Sequence, residues 1–115
     1  MPGSNRLSRT LDRSSLEKIA ELFRVFSEAT RLAILQELKH GPRSVTELVE
    51  SIGSSQANVS KQLRILFEAD LLHREKTGNQ VIYSIKEEMI FQLCELVCDK
   101  LNRRARESIQ FDYRI

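Results

Sequence analysis

The segment Val45-Thr-Glu-Leu-Val-Glu-Ser-Ile-Gly-Ser-Ser-Gln-Ala-Asn-Val-Ser-Lys-Gln-Leu-Arg-Ile-Leu66 constrains this chain more than any other. It reads as two short helices joined by a turn at Gly53-Ser54. At about 100° per residue, the second helix puts Val59, Leu63 and Leu66 on one side. Ala57, Ser60, Lys61 and Arg64 gather on the other, with Asn58 at the flank and Ser55 and Gln56 at the N-terminal end. A helix-turn-helix needs this division, because its second helix must pack on a core while offering side chains to a DNA major groove. An ordinary amphipathic helix with a solvated polar face has the same pattern, so the neighbouring elements decide between the two.

Before that segment, Ser14-Ser-Leu-Glu17 offers a capping box, with Ser14 as N-cap, and the helix it opens places Ile19, Leu22, Phe23 and Phe26 on one face. A second helix starts near Ser27 or Glu28, carries Leu32, Ile34, Leu35 and Leu38, and stops at His40-Gly41-Pro42. Ser44-Val-Thr-Glu47 is another capping box, opening a third helix that ends at Gly53. The fourth runs from about Ser55 to Phe67. Two extended runs follow, Leu72 to Lys76 and Gln80 to Ile85, around Thr77-Gly78-Asn79, which is a hairpin signal. A last helix occupies roughly Glu87 to Arg106, with acids first and Arg103, Arg104 and Arg106 last, an order that suits the helix dipole. The predicted division is a loose basic arm over 1–13, one domain over 14–106 and a tail over 107–115. Helices, a helix-turn-helix, a hairpin and a closing helix describe a mainly α fold with a small β wing.

Composition narrows the class without choosing within it. At 115 residues the chain fits one domain with a modest core, and a formal net charge of +2 is weak evidence for nucleic acid, so the cations must be judged by position. No apolar run reaches membrane-spanning length, and residues 1–13 lack the apolar stretch of a secretory signal. Two cysteines without such a signal suggest free thiols in a reducing cytoplasm. No phosphate-cradling glycine loop, metal triad or nucleophile-His-acid set is present, so an enzyme is the weakest reading, and no cofactor is expected.

From about Ile19 to Leu101 the chain resembles the ArsR/SmtB family of small bacterial transcriptional regulators. The resemblance rests on Ser27-Glu-Ala-Thr-Arg-Leu-Ala-Ile-Leu35, on Ser54-Ser-Gln-Ala-Asn-Val-Ser-Lys-Gln-Leu-Arg-Ile-Leu66 and on Gly78-Asn-Gln-Val-Ile-Tyr-Ser-Ile85, in that order and spacing. It implies a winged helix-turn-helix whose first and last helices dimerise, forming a homodimer that represses by covering promoter DNA until an inducer releases it. It also implies two metal sites to look for. Aligned on Gly53, the Cys-x-Cys positions that family members place in helix three hold Ser44 and Thr46 here. The carboxylate and histidine positions of the last helix hold Glu87, Met89, Lys100 and Arg103, which do not make a zinc site. No metal is therefore expected. Redox-sensing relatives pair a cysteine in helix two with one in the last helix, and helix two here has none.

The expected DNA-reading residues are Ser55, Gln56, Ala57, Asn58, Ser60, Lys61 and Arg64. Gln56 and Asn58 have the amide geometry for adenine, Ala57 suits a thymine methyl, and Lys61 and Arg64 suit a guanine edge or a phosphate. On the hairpin, Arg74, Lys76, Asn79 and Gln80 suit phosphate or minor-groove contact, unless the tip is merely solvated. Arg6, Arg9 and Arg13 of the arm offer at most nonspecific attraction. Cys94 and Cys98 lie i, i+4 on the last helix with Ile90 and Leu101. They are either small interface-filling residues or a thiol switch or soft-metalloid site. The competing function is a winged-helix module that binds protein, which lacks sequence-specific affinity for duplex DNA.

Overall fold

A computed structural model describes residues 10–106 and 114–115. Arg6, Arg9 and most of the expected tail lie outside the described residues. Helix α1 spans Arg13–Val25 and begins before the expected capping box, because Asp12 and not Ser14 is its N-cap. The Asp12 carboxylate accepts from the Ser15 backbone N–H at 2.8 Å. It caps as well as a serine does and adds a negative charge at the positive end of the helix dipole. Glu17, expected to reach back to the cap, instead faces Arg13 at 3.6 Å in an exposed i, i+4 pair, an arrangement of little net stability.

Helix α2 covers Ala29–Leu38, and the choice between Ser27 and Glu28 falls to Glu28. Its two carboxylate oxygens accept from the Thr30 and Arg31 backbone N–H groups at 2.9 and 3.2 Å. A two-residue strand β1, Arg43–Ser44, comes next. Helix α3, Val45–Ile52, starts from the expected capping box, with Ser44 and Glu47 bonded reciprocally, and ends on Gly53 at φ 76°. Helix α4, Gln56–Glu68, is capped by Ser55, whose hydroxyl accepts from the Asn58 N–H at 3.1 Å.

Strands β2, Leu72–Thr77, and β3, Gln80–Ile85, form the hairpin. Gly78 has φ 63° while Asn79 does not have positive φ, the arrangement that a type II′ turn requires. Strand β1 adds to the other edge of β3 through Arg43–Tyr83 and Ser44–Ile82, so the sheet order is β1-β3-β2. No hairpin signal could announce β1, since two residues carry no alternation and their partner is far along the chain. Helix α5, Met89–Ala105, starts two residues later than expected.

The core is built by Ile34, Leu35 and Leu38 of α2, Leu48 of α3, Val59, Leu63 and Leu66 of α4, and Leu71, Leu72, Tyr83 and Ile90. Helix α1 buries no residue completely. Of its expected apolar face only Phe26, just past its end, packs on the core, while Ile19 is 43% and Phe23 54% exposed. Helix α5 likewise leaves Leu96 68% and Val97 52% exposed. The helix-turn-helix and sheet thus form the packed body, and the two terminal helices present apolar surface outward.

Candidate nucleic-acid interface

Helix α4 is oriented by its buried stripe, Val59, Gln62, Leu63 and Leu66, at helical spacing i, i+3, i+4, i+7. The opposite side leaves Gln56, Ala57, Ser60, Lys61 and Arg64 exposed. Ser55 is also exposed, but its hydroxyl is engaged as the cap. No acid occupies the first turn of α4, so the positive end of its dipole is left for an anion such as a DNA phosphate. The face therefore combines amide, hydroxyl and cationic groups on one rigid helix, from Gln56 in its first turn to Arg64 in its second half.

Asn58 differs from its neighbours. It is half-buried, its Nδ2 donates to Ser54 Oγ at 2.9 Å and its Oδ1 accepts from Gln62 Nε2 at 3.0 Å. An amide has two donors and two acceptor lone pairs, so each end keeps capacity for one further bond. Gln62 is only 6% exposed, and its Oε1 accepts from the Arg31 guanidinium. Arg31 also donates from Nε to the Val25 carbonyl at 2.6 Å and from Nη2 to the Arg24 carbonyl at 3.1 Å, both at the end of α1. Arg31, Gln62 and Ser54 were not among the expected residues. One signal pointed to them: Gln62 is a polar residue in the apolar stripe, and a buried amide demands partners.

The hairpin places Arg74, Lys76, Asn79 and Gln80 in exposed positions. Arg74 pairs across the ladder with Tyr83 and Lys76 with Val81, so both cations share the face of buried Leu72. The Arg74 guanidinium also sits 4.1 Å from the centre of the Phe67 ring in α4. This cation–π contact ties the wing to the C-terminal end of α4. Ala57, Lys61 and Arg64 on the helix and Arg74 and Lys76 on the wing thereby belong to adjoining elements joined by a side-chain contact.

Cys94 and Cys98 occupy a different region. Both are half-buried on α5 and line a cavity of about 360 Å³ with Phe23, Phe26, Leu32 and Ile115. Burial pushes the Cys94 thiol above the usual thiol range, the neighbouring Cys98 adds to this, and Lys39 opposes it. Lys39 also donates to the Ile115 carbonyl at 2.8 Å, which brings the end of the tail against α2. Among the described residues, no group of three or more His, Cys, Asp or Glu is placed to hold a metal ion, and no helix is long and apolar enough to cross a membrane.

Residues 26–75, which include the helix-turn-helix and most of β2, match the model of a family described as a helix-turn-helix domain. The chain is 36% identical over 93 residues to the HTH-type transcriptional regulator NmtR of Mycobacterium tuberculosis, covering 81% of this chain and 78% of that protein. It is 30% identical over 97 residues to the HTH-type transcriptional repressor SmtB of the same organism, covering 84% and 70%. The crystal structure of M. tuberculosis Rv0081 superposes with a TM-score of 0.75 at 30% identity, covering 84% of this chain and 97% of that one. These likenesses favour a DNA-binding regulator over a module that binds only protein. The chain belongs to the ArsR/SmtB family of winged helix-turn-helix regulators, DNA-binding proteins that control transcription and not enzymes.

Proposed function

We propose that the protein is a homodimeric repressor that works in the cytoplasm, where it binds a palindromic operator through α4 and the wing. The observation that carries this reading is the exposed α4 face, joined through Phe67 and Arg74 to a second cationic element. Gln56 and Asn58 read base edges and Ala57 meets a thymine methyl. Lys61, Arg64, Arg74 and Lys76 hold phosphates, and Ser55, Ser60, Asn79 and Gln80 complete the contact surface. A palindrome follows from pairing two such faces about a two-fold axis.

The dimer reading is supported by the exposed apolar residues of α1 and α5, among them Leu16, Ile19, Phe23, Leu96 and Val97. Release from DNA then acts at the same seam. The Cys94 and Cys98 cavity opens among α1, α2 and α5, so an inducer or a modified thiol there alters the packing that sets the spacing of the two recognition helices. The raised pKa of Cys94 makes its thiol a weak nucleophile at neutral pH.

Fluorescence anisotropy tests the whole reading, with duplexes selected by the protein from a random library and with reduced or mildly oxidised protein. A selected palindrome bound far more tightly than random duplex is the expected result. Reversible loss of that binding on oxidation assigns release to the thiols, and unchanged binding returns them to packing. Equal affinity for all duplexes would remove the operator reading.

A further inference from the structure

We infer that Gln62, held by Arg31, is a specificity-determining positioning residue that fixes which way round the Asn58 amide faces the DNA. The inference rests on α4 being the DNA-reading helix, and its argument is one of hydrogen-bond direction. A guanidinium has donors only. The Arg31 Nη1 that reaches Gln62 therefore needs an oxygen, so Gln62 must turn Oε1 toward Arg31 and Nε2 toward Asn58. That N–H in turn needs an acceptor, so Asn58 presents Oδ1 to Gln62 and Nδ2 to Ser54. The charge on Arg31 thus propagates as a single sense of donation through two amides to the N-terminal turn of the recognition helix.

Each member is held in place independently. Arg31 is anchored by its Nε and Nη2 to the Val25 and Arg24 carbonyls at the C-terminal end of α1, where the helix dipole favours a cation. Gln62 is 6% exposed, so water does not offer its amide an easy alternative. Adenine recognition by asparagine needs one N–H donor and one oxygen acceptor in a defined order. An amide that turned freely would lose that order half the time. The relay makes Asn58 a reader of fixed polarity, while the solvent-exposed Gln56 has no such restraint among its described hydrogen bonds. Because the relay starts at the end of α1, it also links the terminal helix to the polarity of the reading group.

Gln62→Glu is the informative variant. It keeps the shape and still accepts from Arg31, but a carboxylate cannot donate to Asn58. Asn58 must then turn Nδ2 toward residue 62 and Oδ1 toward the Ser54 hydroxyl, which can donate. With the operator selected by the wild-type protein, the ratio of operator to random-duplex affinity is expected to fall roughly tenfold, the worth of one bidentate pair. Taking a ratio cancels the added negative charge. Base-substituted operators should place the loss at a single base pair in each half-site. Asn58→Ala introduced into Gln62→Glu should cause little further loss, as coupled residues do in a double-mutant cycle.

A folded Gln62→Glu variant with an unchanged ratio, or losses that simply add, would overturn the inference. If that variant does not fold, Gln62→Met keeps the bulk, removes the N–H donor that orders Asn58 and should lower the ratio at the same base pair; no loss there would be equally damaging. The Asn58 side-chain amide resonance of the DNA-free protein separates this failure from failure of the DNA-reading helix. A resonance that moves in Gln62→Glu beside a wild-type protein lacking any operator preference would indict the interface and not the relay. A resonance that stays put would show that no relay exists.

Discussion

At the scale of single residues, the α4 face divides its work by chemistry. Gln56 carries an amide able to distinguish bases, whereas Lys61 carries a point charge that any phosphate satisfies. Gln56→Ala is therefore expected to reduce operator preference by about 1–3 kcal/mol if its pair is bidentate. Lys61→Ala should weaken binding to all duplexes alike and reduce the salt slope by about one. Anisotropy titrations on operator and random duplex across a salt series check both, and a sequence-dependent loss at Lys61 would reverse the assignment. Cys94 provides a second residue-scale expectation. Its raised pKa means that its alkylation at neutral pH is slower than that of a solvent-exposed thiol and accelerates as pH rises above the ordinary thiol range. Mass spectrometry of iodoacetamide-treated protein reads this directly. The polar relay was the residue-scale feature least legible in advance. Gln62 was visible as an anomaly, but Arg31 lies 31 positions away and only packing of α2 on α4 brings them together.

At the scale of elements, caps and turns explain why the helices begin and end where they do. Gly53 occupies the left-handed region at φ 76°, and nothing lies within 4 Å of where a Cβ would be. Gly53→Ala thus tests backbone conformation alone. A loss of about 1–2 kcal/mol by urea denaturation is expected from the steric cost of that conformation for an L-residue. Stability equal to wild type would show that the turn relaxes. Three carboxylates stand at N-termini, and in each a backbone N–H is the main reason its pKa lies below the usual range: Ser15 for Asp12, Thr30 for Glu28 and Ser44 for Glu47. A depressed folded-state pKa stabilises the fold fully above the unfolded value and loses that stabilisation as pH falls through the folded value. Tm should accordingly be level above about pH 5 and decline below it, given ordinary carboxylate values near 4. Glu28→Gln should show a shallower decline. A Tm that held constant from pH 6 to pH 3 would contradict this account. The Ser44 box, Gly53 and the hairpin at Gly78 were readable because capping and turn chemistry act over three or four residues. The cap at Asp12 in place of Ser14 was not, because two good capping residues stand two positions apart and the sequence pattern does not rank them.

At the scale of the whole molecule, the packed body and its two outer helices have different tasks. The body supplies the core on which α4 packs, whereas α1 buries no residue completely and reaches it through Val25 and Phe26 at its end. In the proposed dimer the apolar faces of α1 and α5 pack against a second copy. Leu96→Glu alters a side chain that is 68% exposed in the single chain, so the fold should survive while the dimer does not. Sedimentation velocity should show monomer, and operator affinity should fall as the two half-sites are no longer held together. A variant that stays dimeric would move the interface elsewhere.

The sequence alone determined the order of elements, the helix-turn-helix, the hairpin and the outward face of α4. Those follow from periodicity and from short-range hydrogen bonding, which act between residues near one another in the chain. Only the tertiary structure decided that β1 joins the sheet, that Arg74 rests on Phe67, and that Arg31 and Gln62 hold Asn58. Each of these needs two segments distant in sequence to meet, and their meeting is set by how the core residues of α2, α3, α4 and the sheet pack as one unit.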